Sequence, residues 1–170
     1  MKILFQTVVI AIRKYDTKDR EKLVFFMNQL QDYLIAIDPL HRMRRGKNYG
    51  EIYTTRLLEK TTKEQGVILF AEEKNQPIGV IVGVIEHQKK DNLLECIPTK
   101  TGRIEDLYVD EKYRSQGIGR LLMARVESYF QKKKCTIIKV EVFAPNKASL
   151  FYSQLGFENR VVDMIKVLKE

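Results

Sequence analysis

The sequence predicts a single three-layer α/β domain, spanning residues 1–170, in which helices flank a mixed central β-sheet. Its 170 residues suffice for one hydrophobic core and are few for two. Two apolar stretches, 67–72 and 78–86, are joined by the short polar segment 73–76, which favours an antiparallel hairpin. A later apolar stretch, 104–109, passes through a glycine-bearing turn into an amphipathic helix, which favours a parallel crossover.

In the first third of the chain, hydrophobic spacing predicts one strand and two helices. Residues 8–13 are rich in β-branched side chains, as in a core strand. A helix is expected over 17–37, because an Asp-Thr pair caps its start, apolar residues recur at helical spacing and an Asp-Pro pair stops it. The basic, glycine-punctuated loop 42–50 then leads to a second helix over 51–63.

Beyond the hairpin, the polar segment 89–101 is compatible with a loop or with the end of a longer hairpin. The helix after the glycine turn is expected to bury one face, formed by Ile118, Leu121, Leu122, Val126 and Tyr129. A strand is expected over 137–142, followed by a short helix that starts at Pro145 and has Gly156 as its C-cap. The tail, 157–168, alternates loosely and predicts a final strand of the sheet.

The composition is that of an ordinary globular protein, with 44% hydrophobic and 31% charged residues. The 30 basic and 22 acidic residues leave a net charge of +8, which suits an anionic small ligand, a nucleic acid or a membrane surface. Nucleic acid is disfavoured, because the basic residues are dispersed and no aromatic ladder or helix-turn-helix pattern accompanies them. The two cysteines, Cys96 and Cys135, belong to no metal-binding pattern, so no metal is expected.

The N-terminal segment 1–12 is apolar enough to raise the question of a signal peptide. It carries one basic residue, runs directly into Arg13 and Lys14, and offers no small-residue cleavage site. It is also shorter than the roughly 20 residues that a membrane-spanning helix needs. These features favour a cytoplasmic protein with no membrane partner.

The segment Arg114-Ser-Gln-Gly-Ile-Gly119 is the most informative piece of the sequence. It lies where a strand turns into a helix, so several free backbone N–H groups and the positive end of the helix dipole are directed at one place. The glycines at 117 and 119 permit a tight turn and the close approach of a ligand. The segment therefore predicts a phosphate-binding site.

Two common glycine-loop motifs do not fit this segment. A Walker A loop ends in Gly-Lys-Ser/Thr, whereas Gly119 is followed by Arg120 and Leu121. A Rossmann fingerprint requires a third glycine, where this chain has Leu122, and belongs near the start of a parallel sheet. The antiparallel strands expected before the loop argue against that fold.

The region from about 104 to 157 resembles the GCN5-related N-acetyltransferase (GNAT) family. The resemblance is carried by Leu107-Tyr108-Val109, by Tyr113, by the R-x-x-G-x-G motif at 114–119, and by the downstream residues Asn146, Ala148, Phe151-Tyr152 and Gly156-Phe157. It implies a GNAT-like fold and acetyl-CoA as the co-substrate. The distance between the two motifs also fits the family.

The resemblance implies a role for each residue of the cofactor site. Backbone groups of Leu107 and Val109 would hydrogen-bond the pantetheine arm and the acetyl carbonyl, with Val109 serving as an oxyanion hole. Loop amides would hold the pyrophosphate, with Arg114 and Arg120 adding positive charge, and Asn146 would contact the cofactor arm. The predicted cofactor-binding set is Leu107, Tyr108, Val109, Arg114, Ser115, Gln116, Gly117, Ile118, Gly119, Arg120 and Asn146.

Two side chains are predicted to move protons. Tyr152 falls at the general-acid position of the family, where a phenol can protonate the leaving thiolate. Glu105 precedes Leu107 by two residues, so strand alternation predicts that both side chains leave the same face. The resemblance makes Glu105 a candidate base, although some members place the base elsewhere or use none. Asp106 is expected to point the opposite way and is the less favoured candidate.

These observations predict an N-acetyltransferase that moves the acetyl group of acetyl-CoA to a primary amine by direct attack. Neither cysteine lies in the site segments, which disfavours a covalent enzyme intermediate. The acceptor stays open between a small-molecule amine, a protein N-terminus and a lysine side chain, and a homodimer is compatible with the family. The alternative is a non-catalytic acyl-CoA-binding or regulatory domain of the same fold.

Overall fold

The computed structural model describes residues 9–168 and shows a five-stranded mixed sheet with helices on both faces. The strands are β1 (Ile10–Lys14), β2 (Val67–Glu73), β3 (Gln76–Glu86), β4 (Thr101–Val109) and β5 (Ile137–Val140), and they neighbour one another in sequence order. The pairs from β1 to β4 are antiparallel, whereas β4 and β5 are parallel. The predicted mixed sheet with its antiparallel hairpin is confirmed.

The described residues form five helices: α1 (Arg20–Ile37), α2 (Tyr49–Lys63), α3 (Asn92–Glu95), α4 (Ile118–Lys132) and α5 (Ala148–Ser153). The first four lie between strands, and α5 follows β5. A short 3-10 turn, Thr17–Asp19, leads into α1, and the side chain of Asp16 accepts a hydrogen bond from the N–H of Lys18. A second 3-10 turn, Glu111–Tyr113, follows β4. None of the helices in the described part of the chain is both long and apolar enough to cross a bilayer.

Two hydrophobic cores lie on opposite faces of the sheet. The α1–α2 core contains Leu23, Phe26, Met27, Leu57, Ile68, Phe70, Val80, Val82 and Tyr108. The α4–α5 core contains Val67, Leu69, Ala71, Ile78, Ile81, Ile85, Ile104, Ile118, Leu122, Met123, Val126, Phe130 and Tyr152. The sheet is therefore the middle one of three layers, as the sequence predicts.

A β-bulge interrupts β4 near its centre. Val82 of β3 pairs with Asp106, whereas the next residue, Gly83, pairs with Ile104. Glu105 is therefore an extra residue in β4, and bulges of this kind bend a strand and increase its twist. Ile104 packs in the α4–α5 core, whereas the side chain of Asp106 reaches α2 on the other face.

Two glycines allow α4 to approach the sheet closely. A Cβ atom on Gly102 would lie 2.5 Å from Cδ2 of Phe130, and one on Gly83 would lie 2.7 Å from Cζ of the same ring. Phe130 is almost fully buried. These two strand positions therefore form the hollow that receives the aromatic ring near the end of α4.

Several boundaries differ from the sequence-based prediction. Helix α2 begins two residues earlier than expected, β4 begins at Thr101, and the ambiguous segment 89–101 contains the short helix α3. The strand predicted to start at Val8 begins at Ile10 in the structure; residues 1–8 lie outside the described part of the chain, and with them most of the segment weighed as a signal peptide.

The predicted buried face of α4 is partly wrong, and so is the predicted last strand. Leu121 is 46% exposed, because the buried stripe follows Ile118, Leu122, Val126 and Phe130 at four-residue steps. Residues 157–168 form no strand in the structure, and their large apolar side chains beyond 160 are exposed. Charged residues interrupt the alternation of this tail, which leaves it without one continuous apolar face.

Candidate active site

The sheet opens between β4 and β5. Pairing of the two parallel strands runs from Thr101 with Ile137 to Ile104 with Val140, and β5 ends there while β4 continues to Val109. The bulge at Glu105 lies at the point where pairing stops. The last four residues of β4 therefore have β3 on one side and an opening on the other.

Backbone groups of Leu107 and Val109 point into this opening. The N–H of Asp110 donates to the carbonyl oxygen of Ile78 in β3, at 2.8 Å. Because successive N–H groups of a strand alternate between its two sides, those of residues 107 and 109 are directed away from β3. The structure thus places both residues of the predicted oxyanion and pantetheine contacts at the opening.

The loop before α4 presents a run of amides. The first N–H that bonds back into the helix is that of Leu121, which donates to the carbonyl of Gly117 at 3.1 Å. Within the described residues, no amide from 115 to 120 donates to a protein acceptor. Ser115 and Gly117 have positive φ angles of 62° and 81°, and the turn they form collects these amides in one place. A diphosphate fits such an arrangement.

The two glycines of the loop have different roles. A Cβ atom on Gly117 would meet nothing within 4 Å, so this glycine is needed for its backbone conformation. A Cβ atom on Gly119 would lie 3.2 Å from Cζ of Phe151 in α5, so this glycine lets α5 pack on the first turn of α4. Arg120 strengthens the same contact, because its Nη2 donates to Oε1 of Gln154 at 3.0 Å.

Arg114 lies between the loop and the end of β4. Its Nε donates to the carbonyl oxygen of Val109 at 3.0 Å. Its guanidinium carbon lies 5.7 Å from the ring centre of Tyr33 and 5.8 Å from that of Tyr108. The exposed guanidinium therefore lies near the end of β4, within reach of two aromatic rings. Ser115 and Gln116, the next two residues, are exposed.

Asn146 lies on the other side of the opening, just before α5. Its Oδ1 accepts a hydrogen bond from the N–H of Ala148 at 2.9 Å, which caps the helix. The same oxygen accepts the hydroxyl of Tyr33 in α1 at 3.1 Å. Asn146 thus joins α1 to α5 across the front of the predicted cofactor site.

Tyr152 is buried at the opening. Its side chain is 7% exposed and packs edge-on against Phe151 and Phe157. Burial and the nearby negative charge of Asp106 raise the pKa of the Tyr152 phenol above its usual value, so the hydroxyl stays protonated at neutral pH. Within residues 9–168 the hydroxyl has no hydrogen-bond partner, unlike a structural tyrosine such as Tyr129, which donates to the carbonyl of Gln65 at 2.6 Å.

Glu105 is held by two cations. Its Oε2 lies 2.8 Å from Nζ of Lys60 in α2, and its Oε1 lies 3.0 Å from Nε of Arg103. The second contact is close but poorly aligned for a hydrogen bond. Glu105 therefore faces α2, whereas Leu107 packs against the α4–α5 core. The expectation that both side chains share a face is wrong, because strand alternation fails at a bulge.

Asp106 is the ionisable group that sequence reasoning set aside. It lies on the same face as Glu105, is 8% exposed, and accepts the hydroxyl of Tyr53 through both carboxylate oxygens, at 3.2 and 3.0 Å. Burial raises the pKa of Asp106 to about 7. Its position two residues before the core residue Tyr108, in an apolar strand, could have indicated that Asp106 is buried. The sequence does not reveal the bulge at Glu105, which changes the face of the strand.

The described residues contain no group of three or more His, Cys, Asp or Glu side chains arranged to hold a metal ion. The groups that the structure places near the opening are amide donors, the buried phenol of Tyr152, the buried carboxyl group of Asp106 and the ion-paired carboxylate of Glu105.

Solved structures share this fold. A mutant of the BH1408 protein from Bacillus halodurans superposes with a TM-score of 0.82 at 24% identity, over 94% of this chain and 99% of that chain. Glucosamine-6-phosphate N-acetyltransferase from Arabidopsis thaliana superposes with a TM-score of 0.66 at 21% identity, over 95% and 99% of the two chains. The enzyme AAC(6')-Iy, solved with a bisubstrate analogue of CoA and acetylneamine, gives 0.66 at 20% identity, over 94% and 99%.

Sequence comparison points to the same group of proteins. A curated relative, an uncharacterised N-acetyltransferase of Methanocaldococcus jannaschii, is 33% identical over 64 residues, which is 37% of this chain and 28% of that protein. This chain thus matches little more than a quarter of that relative. Residues 28–157 match the family model described as the acetyltransferase (GNAT) family. The match spans the opening, the amide loop and Tyr152, and the chain belongs to the GNAT family of acetyltransferases.

Proposed function

We propose that this chain is an acetyl-CoA-dependent N-acetyltransferase in which a primary amine attacks the thioester directly. The observation that carries the proposal is the meeting of two features at one opening. The free amides before α4 suit a diphosphate, and the buried phenol of Tyr152 lies next to Phe151, which contacts Gly119 in the first turn of that helix. Family membership supports the same reaction.

The residues present fit acetyl-CoA as a co-substrate. The amides of residues 116–120, with Arg114 and Arg120 nearby, would hold the pyrophosphate. The backbone of Leu107 and Val109 would align the pantetheine arm along the free side of β4. Asn146 would contact the arm from the opposite side. Structures of AAC(6')-Iy in complex with CoA support this use of the fold.

Each residue at the reacting centre has a distinct task in this proposal. The N–H of Val109 would stabilise the negative charge that develops on the acetyl oxygen during attack. Tyr152 would give its proton to the departing sulfur, for which a phenol with a raised pKa is suited because it stays protonated until the thiolate forms. Glu105 stays a predicted base. In the structure its carboxylate is ion-paired with Lys60 and Arg103.

A paired experiment tests the proposal. Binding of acetyl-CoA should raise the melting temperature, as required of a ligand that binds the folded state. Release of free thiol should then depend on an added amine, across a panel of alkylamines, amino sugars and peptide N-termini. A thermal shift without thiol release would favour the acyl-CoA-binding alternative. Absence of both would remove the acetyl-CoA assignment.

A further inference from the structure

Asp106 combines burial with the lack of a cationic partner. It forms no ion pair within the described part of the chain, whereas its neighbour Glu105 has two cations at 3.0 Å or less. Burying a carboxylate without a counter-charge is costly, because its hydration is lost and no opposite charge replaces it. The hydrogen bond from Tyr53 offsets only part of this cost, which favours a chemical role for the acid.

The surroundings of Asp106 hold it in a defined orientation. The hydroxyl of Tyr53 donates to both carboxylate oxygens, and the ring of Tyr53 stacks on Tyr49 with 5.3 Å between centroids. The group lies next to the bulge, where β4 leaves β5, and its charge raises the pKa of Tyr152. The titratable groups that act on it or respond to it are Tyr49, Tyr53 and Lys60 of α2, Glu105 of β4 and Tyr152 of α5.

We propose that Asp106 is the proton acceptor for the incoming amine, that Tyr53 is its positioning residue, and that the acceptor class is an alkylammonium ion. This inference rests on the proposed acetyl transfer and adds the group that prepares the nucleophile. A buried carboxylate that has no cation of its own and is oriented by the Tyr53 hydroxyl is suited to an incoming cation through its charge.

The proton balance of the reaction is complete with these groups. The alkylammonium transfers one proton to a carboxylate oxygen of Asp106 and becomes a neutral amine. Its nitrogen lone pair forms the new C–N bond, the C–S bond breaks, and the sulfur takes a proton from Tyr152. The second proton lost by nitrogen replaces the one that Tyr152 gave. Asp106 releases its proton to solvent, so each turnover yields one free proton.

Glu105 is less suited to this step in its observed contacts. Both of its carboxylate oxygens already lie against cations, Lys60 and Arg103, at 2.8 and 3.0 Å. Asp106 has no such partner, and a base is most effective when its pKa lies near the working pH. The two neighbouring acids therefore have different tasks: Glu105 holds α2 to β4, and Asp106 takes the proton.

The first test needs no acceptor. The carboxyl carbon of Asp106 is followed by 13C NMR as a function of pH, with its signal assigned by its loss in Asp106→Asn. A midpoint near neutral pH is expected, and Tyr53→Phe should move it upward, because the phenol stabilises the ionised form. A midpoint near the ordinary aspartate value of about 4 would overturn the inference.

The second test compares two amines of similar size, benzylamine and aniline, in the thiol-release assay. Benzylamine enters as an ammonium ion and must lose a proton, whereas aniline is already neutral at pH 7. Asp106→Asn keeps the acceptor oxygen for Tyr53 but cannot take the proton. Its loss of kcat should be about 10²-fold or more with benzylamine, and at least about tenfold smaller with aniline. Asp91→Asn, which changes an exposed residue directly before α3, is the matched control.

The outcomes separate this inference from the proposed function. Equal losses for the two amines, or no loss, would remove Asp106 as the base while acetyl transfer by the wild-type protein stands. A selective loss in Glu105→Gln with Asp106→Asn unaffected would transfer the role to Glu105. If the wild-type protein releases no thiol with any amine of the panel, the proposed function fails and the proton-acceptor role fails with it.

Discussion

The hydroxyl of Tyr53 donates to both carboxylate oxygens of Asp106, at 3.2 and 3.0 Å, and joins α2 to the centre of β4. This bond favours the ionised carboxylate, yet burial outweighs it and raises the pKa of Asp106 to about 7. The folded protein therefore binds this proton more tightly than the unfolded chain, in which an aspartate has a pKa of about 3.9.

Asp106→Asn should stabilise the protein above neutral pH. Between about pH 4 and pH 7 the wild-type protein loses free energy of unfolding, by at most about 1.4 kcal/mol per pH unit, because the unfolded chain ionises this carboxyl group while the folded protein keeps it protonated. The variant lacks this titration. The stability of the variant relative to the wild type should therefore increase from pH 4 to pH 8, as measured by urea unfolding. A difference that is the same at both pH values would contradict the raised pKa.

Tyr152→Phe should lower kcat by about 10²- to 10⁴-fold, because the leaving thiolate loses its proton donor. The affinity for acetyl-CoA should change little, because the ring stays packed against Phe151 and Phe157. Steady-state kinetics and calorimetric titration measure the two effects. Tyr129→Phe is the matched control: it removes a phenol that bonds the carbonyl of Gln65, so it should cost stability of about 1 kcal/mol without lowering kcat.

Gly117→Ala should weaken the binding of CoA, whereas Gly156→Ala should not. Both glycines have positive φ angles, 81° and 85°, and a Cβ atom at either position would meet nothing within 4 Å. Each change should thus cost about 1–2 kcal/mol of stability through its backbone conformation alone. Only Gly117 lies in the amide loop. Equal CoA affinity in the two variants, measured by calorimetry, would show that the loop does not bind CoA.

Gly102→Ala should destabilise the protein by about 1–3 kcal/mol through overpacking, because the new methyl group would lie 2.5 Å from the ring of Phe130. Thermal unfolding measures the loss. Gly46→Ala, where a Cβ atom meets nothing within 4 Å, should be nearly neutral. Combining Gly102→Ala with Phe130→Leu should recover part of the loss in a double-mutant cycle, and strictly additive losses would refute the proposed contact.

Local patterns were enough to predict the mixed sheet and its flanking helices, but they wrongly predicted a strand in the tail. The hairpin of β2 and β3, the strand-to-helix turn at Gly117 and the capped start of α5 each depend on residues close together in sequence. The turn and the cap are also where the predicted cofactor residues lie. Their roles toward acetyl-CoA stay predictions.

Features that depend on distant contacts could not be predicted in this way. The exposure of Leu121 depends on how α4 docks into the hollow at Gly83 and Gly102. The ion pairs of Glu105 depend on Lys60, which is 45 positions earlier in the chain. The burial of Asp106 depends on the bulge at Glu105 and on the packing of α2 against β4. Neither feature can be recognised from the periodicity of the sequence.

The bulge at Glu105 has a consequence for how this opening could arise or be lost. Ile104 and Asp106 already occupy opposite faces, so deleting Glu105 would leave every other side chain of β4 on its present face. We expect the shortened strand to regain the regular pleat and to pair with the segment that follows Val140. We therefore expect the loss of this one residue to be enough to close the gap between β4 and β5.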